Sequence, residues 1–305
     1  MKPTARLLHL LVAVTPFLAA CDSGLEPSGS ARLQVLLTDA PADYLDSALV
    51  DIGAVELLGG EERIVLSEDG TDGEVDLLAL RDQVTMLLAD AEIPAGSYGE
   101  LRLIVESARV VLAEGYTFDG TDERGAPLKV PSGAQTGIKL KLRAETMTPD
   151  DAEAAGDDAS GIEISGDMTL VVDFDVNRSF VVQGNPETPA GIKGMLFTPT
   201  LRVVVRDIAG SLSGTVTGPE GVAVEGIVVT AESLAPEGSG EEFQSESGTA
   251  TTDADGAYTI GFLSPGTYRV TLEVPEGFTS DPGSRDVVVG ESESVEGVDF
   301  ALIPG

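Results

Sequence analysis

Thr252-Asp253-Ala254-Asp255-Gly256-Ala257-Tyr258 and, shortly after it, Leu263-Ser264-Pro265-Gly266-Thr267-Tyr268 decide how the C-terminal third folds. Each run is a polar turn that feeds a strand opening near a tyrosine. Aspartate side chains bond their own backbone in turns, proline presets φ, and glycine accepts the positive φ that other residues resist. Residues 257–262 and 267–274 then alternate as half-buried strands do. Working outward, residues 211–217, 224–231, 249–252, 285–289 and 298–303 have the same short apolar character. Seven such strands, each bounded by Gly, Pro or Asp, predict a β-sandwich over residues 210–305.

Gly214-Thr215-Val216, taken with the two turn runs, resembles the carboxypeptidase regulatory-like domain. That resemblance implies a seven-stranded transthyretin-like Greek-key sandwich, grouped with carbohydrate-binding-like folds. It implies no peptidase activity, because the family's module sits beside a catalytic domain. Pro94-Ala95-Gly96-Ser97-Tyr98 echoes Pro265-Gly266-Thr267-Tyr268, which we read as shared turn chemistry and not as a duplicated domain.

Residues 31–207 are also strand-and-turn sequence. Leu33, Val35 and Leu37 alternate until Thr38-Asp39-Ala40-Pro41, which is expected to end the strand. Further strands are expected at 48–58, 63–67, 98–105, 108–112, 128–130, 137–143, 168–174, 179–182 and 194–206. Leu77, Leu80, Val84 and Leu87 have helical spacing, which predicts one short helix within 76–90. The acidic stretch 148–160 has no apolar face and is expected to be a surface loop. Leu33 to Pro41, the 94–98 turn, Val130-Pro131-Ser132-Gly133 and Val171-Val172-Asp173-Phe174-Asp175 together resemble the bacterial lipoprotein family called domain of unknown function 4382, over about 30–207. The resemblance implies an exported β-rich domain and brings no activity with it.

The N-terminus carries an address. Lys2 and Arg6 precede an apolar run from Leu7 to Leu18, well short of the ~20 residues of a spanning helix. Leu18-Ala19-Ala20-Cys21 follows and resembles a lipoprotein lipobox, which implies cleavage before Cys21 and acylation, palmitate included, of that residue. Residues 1–20 would be the signal peptide and 21–30 a lipidated polar tether. Two or more acyl chains give stable anchoring, at about 0.8 kcal/mol per buried CH₂. Asp22 resembles an inner-membrane retention signal of enteric bacteria. The outer membrane, the periplasmic face of the inner membrane and the cell surface all stay open as destinations.

The chain has 18 Lys+Arg against 52 Asp+Glu, a formal charge of −34. Losing Lys2 and Arg6 leaves 16 basic residues and a charge of −36. Such a field repels phosphate backbones and anionic lipid, so nucleic acid is excluded as a partner and membrane attachment falls to Cys21. Cys21 is the only cysteine and His9 the only histidine, and His9 lies in the signal. The expected mature chain therefore has no Ser-His-Asp or Cys-His nucleophile and no zinc site.

What remains is carboxylate chemistry, oxygen-ligated Ca²⁺, or no chemistry. Asp253 and Asp255 are weak candidates for a Ca²⁺ site, but the twelfth position of an EF-hand loop falls on Ser264 where glutamate is needed. A hairpin turn is the expected role. Asp173 and Asp175 flank Phe174 in an alternating strand and are expected to face water. The expectation is a mainly β chain of two tandem sandwiches, lipid-anchored in a bacterial envelope, with no catalytic residues and no cofactor. It would serve as a binding or structural module for an envelope protein or polysaccharide. The alternative is a Ca²⁺-stabilised adhesion or polymer-binding protein.

Overall fold

A computed structural model describes residues 29–40, 44–59, 62–80, 83–119, 121–130, 136–142, 161–185, 191–234 and 243–305. The expected signal peptide, Cys21, most of the tether and the 148–160 stretch lie outside the described residues. In the first domain the strands are β1 (Ser30–Ala40), β2 (Leu45–Gly59), β3 (Glu62–Ser67), β4 (Glu74–Asp76), β5 (Met86–Pro94), β6 (Gly96–Tyr98) and β7 (Glu100–Leu112). Then come β8 (Gly125–Leu128), β9 (Ile138–Lys141), β10 (Ile162–Ile164), β11 (Met168–Asp175), β12 (Phe180–Gly184), β13 (Ile192–Phe197) and β14 (Leu201–Val205). The described chain is mainly strand.

Two larger sheets, joined by the two-stranded pairs β10-β6 and β12-β13, share one core. The first has the order β14-β11-β1-β5, with β1 parallel to β11 and antiparallel to β5. The second runs β3-β2-β7-β8, with β4 on β2 and β9 on β7. Alternation along β1 turns Leu33, Val35 and Leu37 inward, where each is fully buried beside Val50, Ile52 and Leu103 of the facing sheet. β11 is different. From Leu170 onward both of its faces are buried, as for a central strand covered on two sides.

The expected helix within 76–90 is not there. Leu77–Leu80 makes one 3-10 turn, and β5 begins at Met86. Leu77 and Leu80 are buried, whereas Val84 and Leu87 are about half exposed. The helical spacing therefore joined two unrelated segments. Thr38-Asp39-Ala40 does not break β1 either, since the strand runs through Ala40. The 194–206 segment is two strands, separated at Thr198, Pro199 and Thr200.

The second domain contains β15 (Gly210–Thr217), β16 (Val228–Leu234), β17 (Phe243–Thr251), β18 (Ala257–Leu263), β19 (Gly266–Leu272), β20 (Phe278–Asp281), β21 (Arg285–Val289), β22 (Ser294–Val295) and β23 (Phe300–Pro304). One sheet is β18-β15-β23-β20 with β22 on β15, and the other is β17-β16-β19-β21. Leu212, Val216, Val229, Ile260, Val270 and Phe300 are among the buried residues that fill the space between them. The seven expected strands are present within this sandwich, and the short β20 and β22 add to them.

Both proline–tyrosine turns fold alike. The Tyr98 hydroxyl donates to Pro94 O at 2.7 Å, and the Tyr268 hydroxyl donates to Ser264 O at 2.8 Å. In each case the ring sits in the core and its oxygen ties back four residues, the geometry of a tyrosine corner.

Candidate functional site

Phe174 decides which way its neighbours point. Its ring is fully buried, 6.1 Å from Phe197 and 6.4 Å from Phe180 in the first core. Successive strand residues alternate, so Asp173 and Asp175 leave the opposite face of β11. They do not reach water. Asp173 is 8% and Asp175 7% exposed, which corrects the expectation of solvated carboxylates. The physical reason is that the second domain and the turn after β11 cover this end of the sheet.

Arg202, opposite Asp173 in the β11–β14 ladder, supplies the counter-charge. Its Nε and Nη2 donate to Asp173 Oδ2 at 2.8 and 2.5 Å, and both side chains are 10% exposed. Nη2 also donates to Gly261 O of β18, in the other domain, at 2.9 Å. Asp175 has a local task. Its Oδ1 accepts Arg178 N at 2.9 Å and so caps the helical turn Val176–Ser179. Burial pushes the Asp175 carboxyl above its ordinary range, opposed by the Arg178 backbone bond and charge and reinforced by Asp173.

Between the domains lies a cleft of about 220 Å³, walled by Thr38, Asp39, Gln83, Asp173 and Arg202 from the first domain. The second domain contributes Thr249, Thr251, Asp253, Thr259 and Phe262 among others. Asp173 Oδ1 and Thr249 Oγ1, both buried, have no hydrogen-bond partner among the described residues. Thr38 is occupied, since its hydroxyl donates to Leu80 O and Val84 O. The walls are thus mixed acid, hydroxyl, amide and guanidinium, suited to hydrogen bonding and lacking any nucleophile–base pair that the described contacts assemble.

Asp253 sits on the rim of this cleft, and its carboxylate turns to its own backbone. Oδ1 accepts Asp255 N and Ala257 N, both at 2.9 Å, while Gly256 N donates to Asp253 O. Gly256 holds φ +72°, and a Cβ there would lie 2.5 Å from Val216 O. This is the hairpin turn the residues suggested, with Asp255 exposed beside it. Among the described residues no three His, Cys, Asp or Glu gather as a metal-holding group. No described helix is long and apolar enough to cross a membrane.

Sequence reasoning missed Arg202, Gln83 and Thr249. A signal for the first was available: Arg202 is a charge inside the apolar run Leu201-Arg202-Val203-Val204-Val205, and buried cations require partners.

The architecture is that of two tandem β-sandwich domains joined at a polar, ion-paired cleft. The family model described as "Domain of unknown function (DUF4382)" matches residues 30–189, and the chain belongs to that family. Val203 and Val205, beyond the match, still pack into the same core. The model described as "Carboxypeptidase regulatory-like domain" matches residues 211–302, which makes the second sandwich transthyretin-like. Neither description names a reaction.

No curated protein matches the chain. Among solved structures it is similar to GBS52, the minor pilin of Streptococcus agalactiae, at 11% identity and TM-score 0.25, over 89% of this chain and 97% of that one. It is similar to the shaft pilin SpaA of Lactobacillus rhamnosus GG at 11% identity and TM-score 0.24, over 90% and 97% of the two chains. The Bacillus anthracis TIE protein gives 11% identity and TM-score 0.24 over 90% of this chain, which spans only 34% of that protein. Likenesses this weak carry nothing further.

Proposed function

We propose that this chain is a lipid-anchored protein of a bacterial envelope, whose two β domains act as a non-catalytic binding or structural module. The observation that carries the proposal is Leu18-Ala19-Ala20-Cys21, a solitary thiol behind two small residues and a short apolar run. Acylation at Cys21 would hold a strongly anionic ectodomain to a surface that its charge alone would leave. The junction cleft is the place we assign to a partner, an envelope protein or a polysaccharide segment, because groups from both domains converge on it. Asp253 gives its Oδ1 to turn N–H groups, which weighs against the Ca²⁺-dependent alternative.

The test is metabolic labelling with a clickable fatty acid in cells making wild type or Cys21→Ala. Label in the first and none in the second supports the anchor. Equal label in both sinks it.

A further inference from the structure

The domains meet at a few specific contacts beside the cleft. Arg202 is gripped by Asp173 within its own domain and reaches over to Gly261 O. The surface it meets is cut to fit. A Cβ on Gly248 would lie 2.6 Å from Ile260 Cγ2 of its own sandwich and 3.1 Å from Arg202 Nη2. A Cβ on Gly261 would lie 2.7 Å from Cγ of Gln83, and its three nearest neighbours all belong to Gln83. A second bridge runs from Arg178 Nη2 to Glu232 Oε1 at 3.3 Å, with Asp175 beside Arg178. The connection itself is tied down. Arg206–Ile208 forms a 3-10 turn, Ser292 Oγ donates to Asp207 O at 2.6 Å, and Ser292 N donates to Ile208 O at 3.0 Å.

We propose that the two β domains move as one rigid body, latched by Arg202 on Gly261 and keyed by Gln83 against the bare backbone of Gly261. A polar junction such as this one leaves relative motion as the default unless specific contacts fix it. Here one guanidinium satisfies acceptors in both domains, and side chains of one domain occupy the space that side chains are missing from in the other. The cleft is then a preformed site of fixed width, and a load applied at the far end of the second domain passes into the first without bending at residues 206–209. This proposal stands apart from lipid anchoring and survives its failure.

The test uses the full chain in detergent and follows tryptic cleavage after the exposed Arg206, read by mass spectrometry, with far-ultraviolet circular dichroism on each variant. Gly261→Val brings its Cβ against the Gln83 side chain and is expected to speed this cleavage by about tenfold or more, as local opening becomes accessible. Gly261→Val with Gln83→Ala restores room and is expected to return the rate to within about twofold of wild type. Arg202→Met, made together with Asp173→Asn so that no buried carboxylate is left unpaired, removes the donor to Gly261 and is expected to speed cleavage without altering the second sandwich. Wild-type cleavage rates in Gly261→Val or in Arg202→Met with Asp173→Asn overturn the latch. So does failure of Gln83→Ala to rescue.

Discussion

Removing one oxygen from each tyrosine corner should cost different amounts. The contrast follows from what surrounds the acceptors. Tyr268 is 1% exposed and its acceptor residue Ser264 is 2% exposed, so water has little access to the Ser264 carbonyl once the hydroxyl is gone. Tyr268→Phe therefore removes a hydrogen bond to a buried acceptor, a cost of about 1–3 kcal/mol. Tyr98 is as well packed, but its acceptor Pro94 is exposed, and water can take the place of the phenol. Tyr98→Phe should cost only about 0.5–1 kcal/mol. With a urea m-value of about 2 kcal/mol/M, the midpoints should fall by roughly 1 M and roughly 0.3 M respectively. Urea titration followed by far-ultraviolet circular dichroism measures both. A Tyr98→Phe shift equal to or larger than that of Tyr268→Phe would refute the reasoning, because it would mean acceptor burial does not set the cost.

Asp175→Asn keeps an oxygen to cap Arg178 N and removes a charge that burial disfavours, so it should stabilise at neutral pH. A raised folded-state carboxyl contributes stability that is present below the ordinary carboxylate pKa and lost as pH rises through the raised value. The variant's advantage in melting temperature should therefore vanish in acid and grow across that window. An advantage largest in acid contradicts it. Gly256→Ala should cost more than Gly297→Ala, since both hold positive φ but only the first meets a backbone oxygen. The second should lose about 1–2 kcal/mol in urea titration and the first clearly more. Melting temperature should be the same in millimolar Ca²⁺ and in Na⁺ of equal ionic strength. A selective rise with Ca²⁺ would restore the cation reading of Asp253 and Asp255.

The turns were readable in the sequence because their chemistry is local. Asp253, Tyr98 and Tyr268 each act on atoms within a few residues, and the residue types mark where the chain turns. The sandwich architecture followed from counting the strands those turns separate. The burial of Asp173 and Asp175 was not readable. Alternation correctly sends them away from Phe174, yet no local pattern tells that a second domain arrives to cover that face. The helical spacing of Leu77, Leu80, Val84 and Leu87 misled for the same reason, since tertiary neighbours and not the period decided that two are buried and two exposed. Arg202 joins residues 29 and 59 positions away, Asp173 and Gly261, and only the assembled fold brings them together.

β1 takes one neighbour from nearby β5 and the other from β11, with Leu33 opposite Met168, about 135 positions later. A chain that emerges N-terminus first must hold an apolar, half-paired ribbon open until that distant partner appears. Non-local closure of this sort is slow, and an unclosed sheet border is a site for mispairing. Whatever escorts this protein during synthesis has its main task between those two moments. Truncation anywhere before residue 168 should yield aggregates in place of a smaller soluble domain.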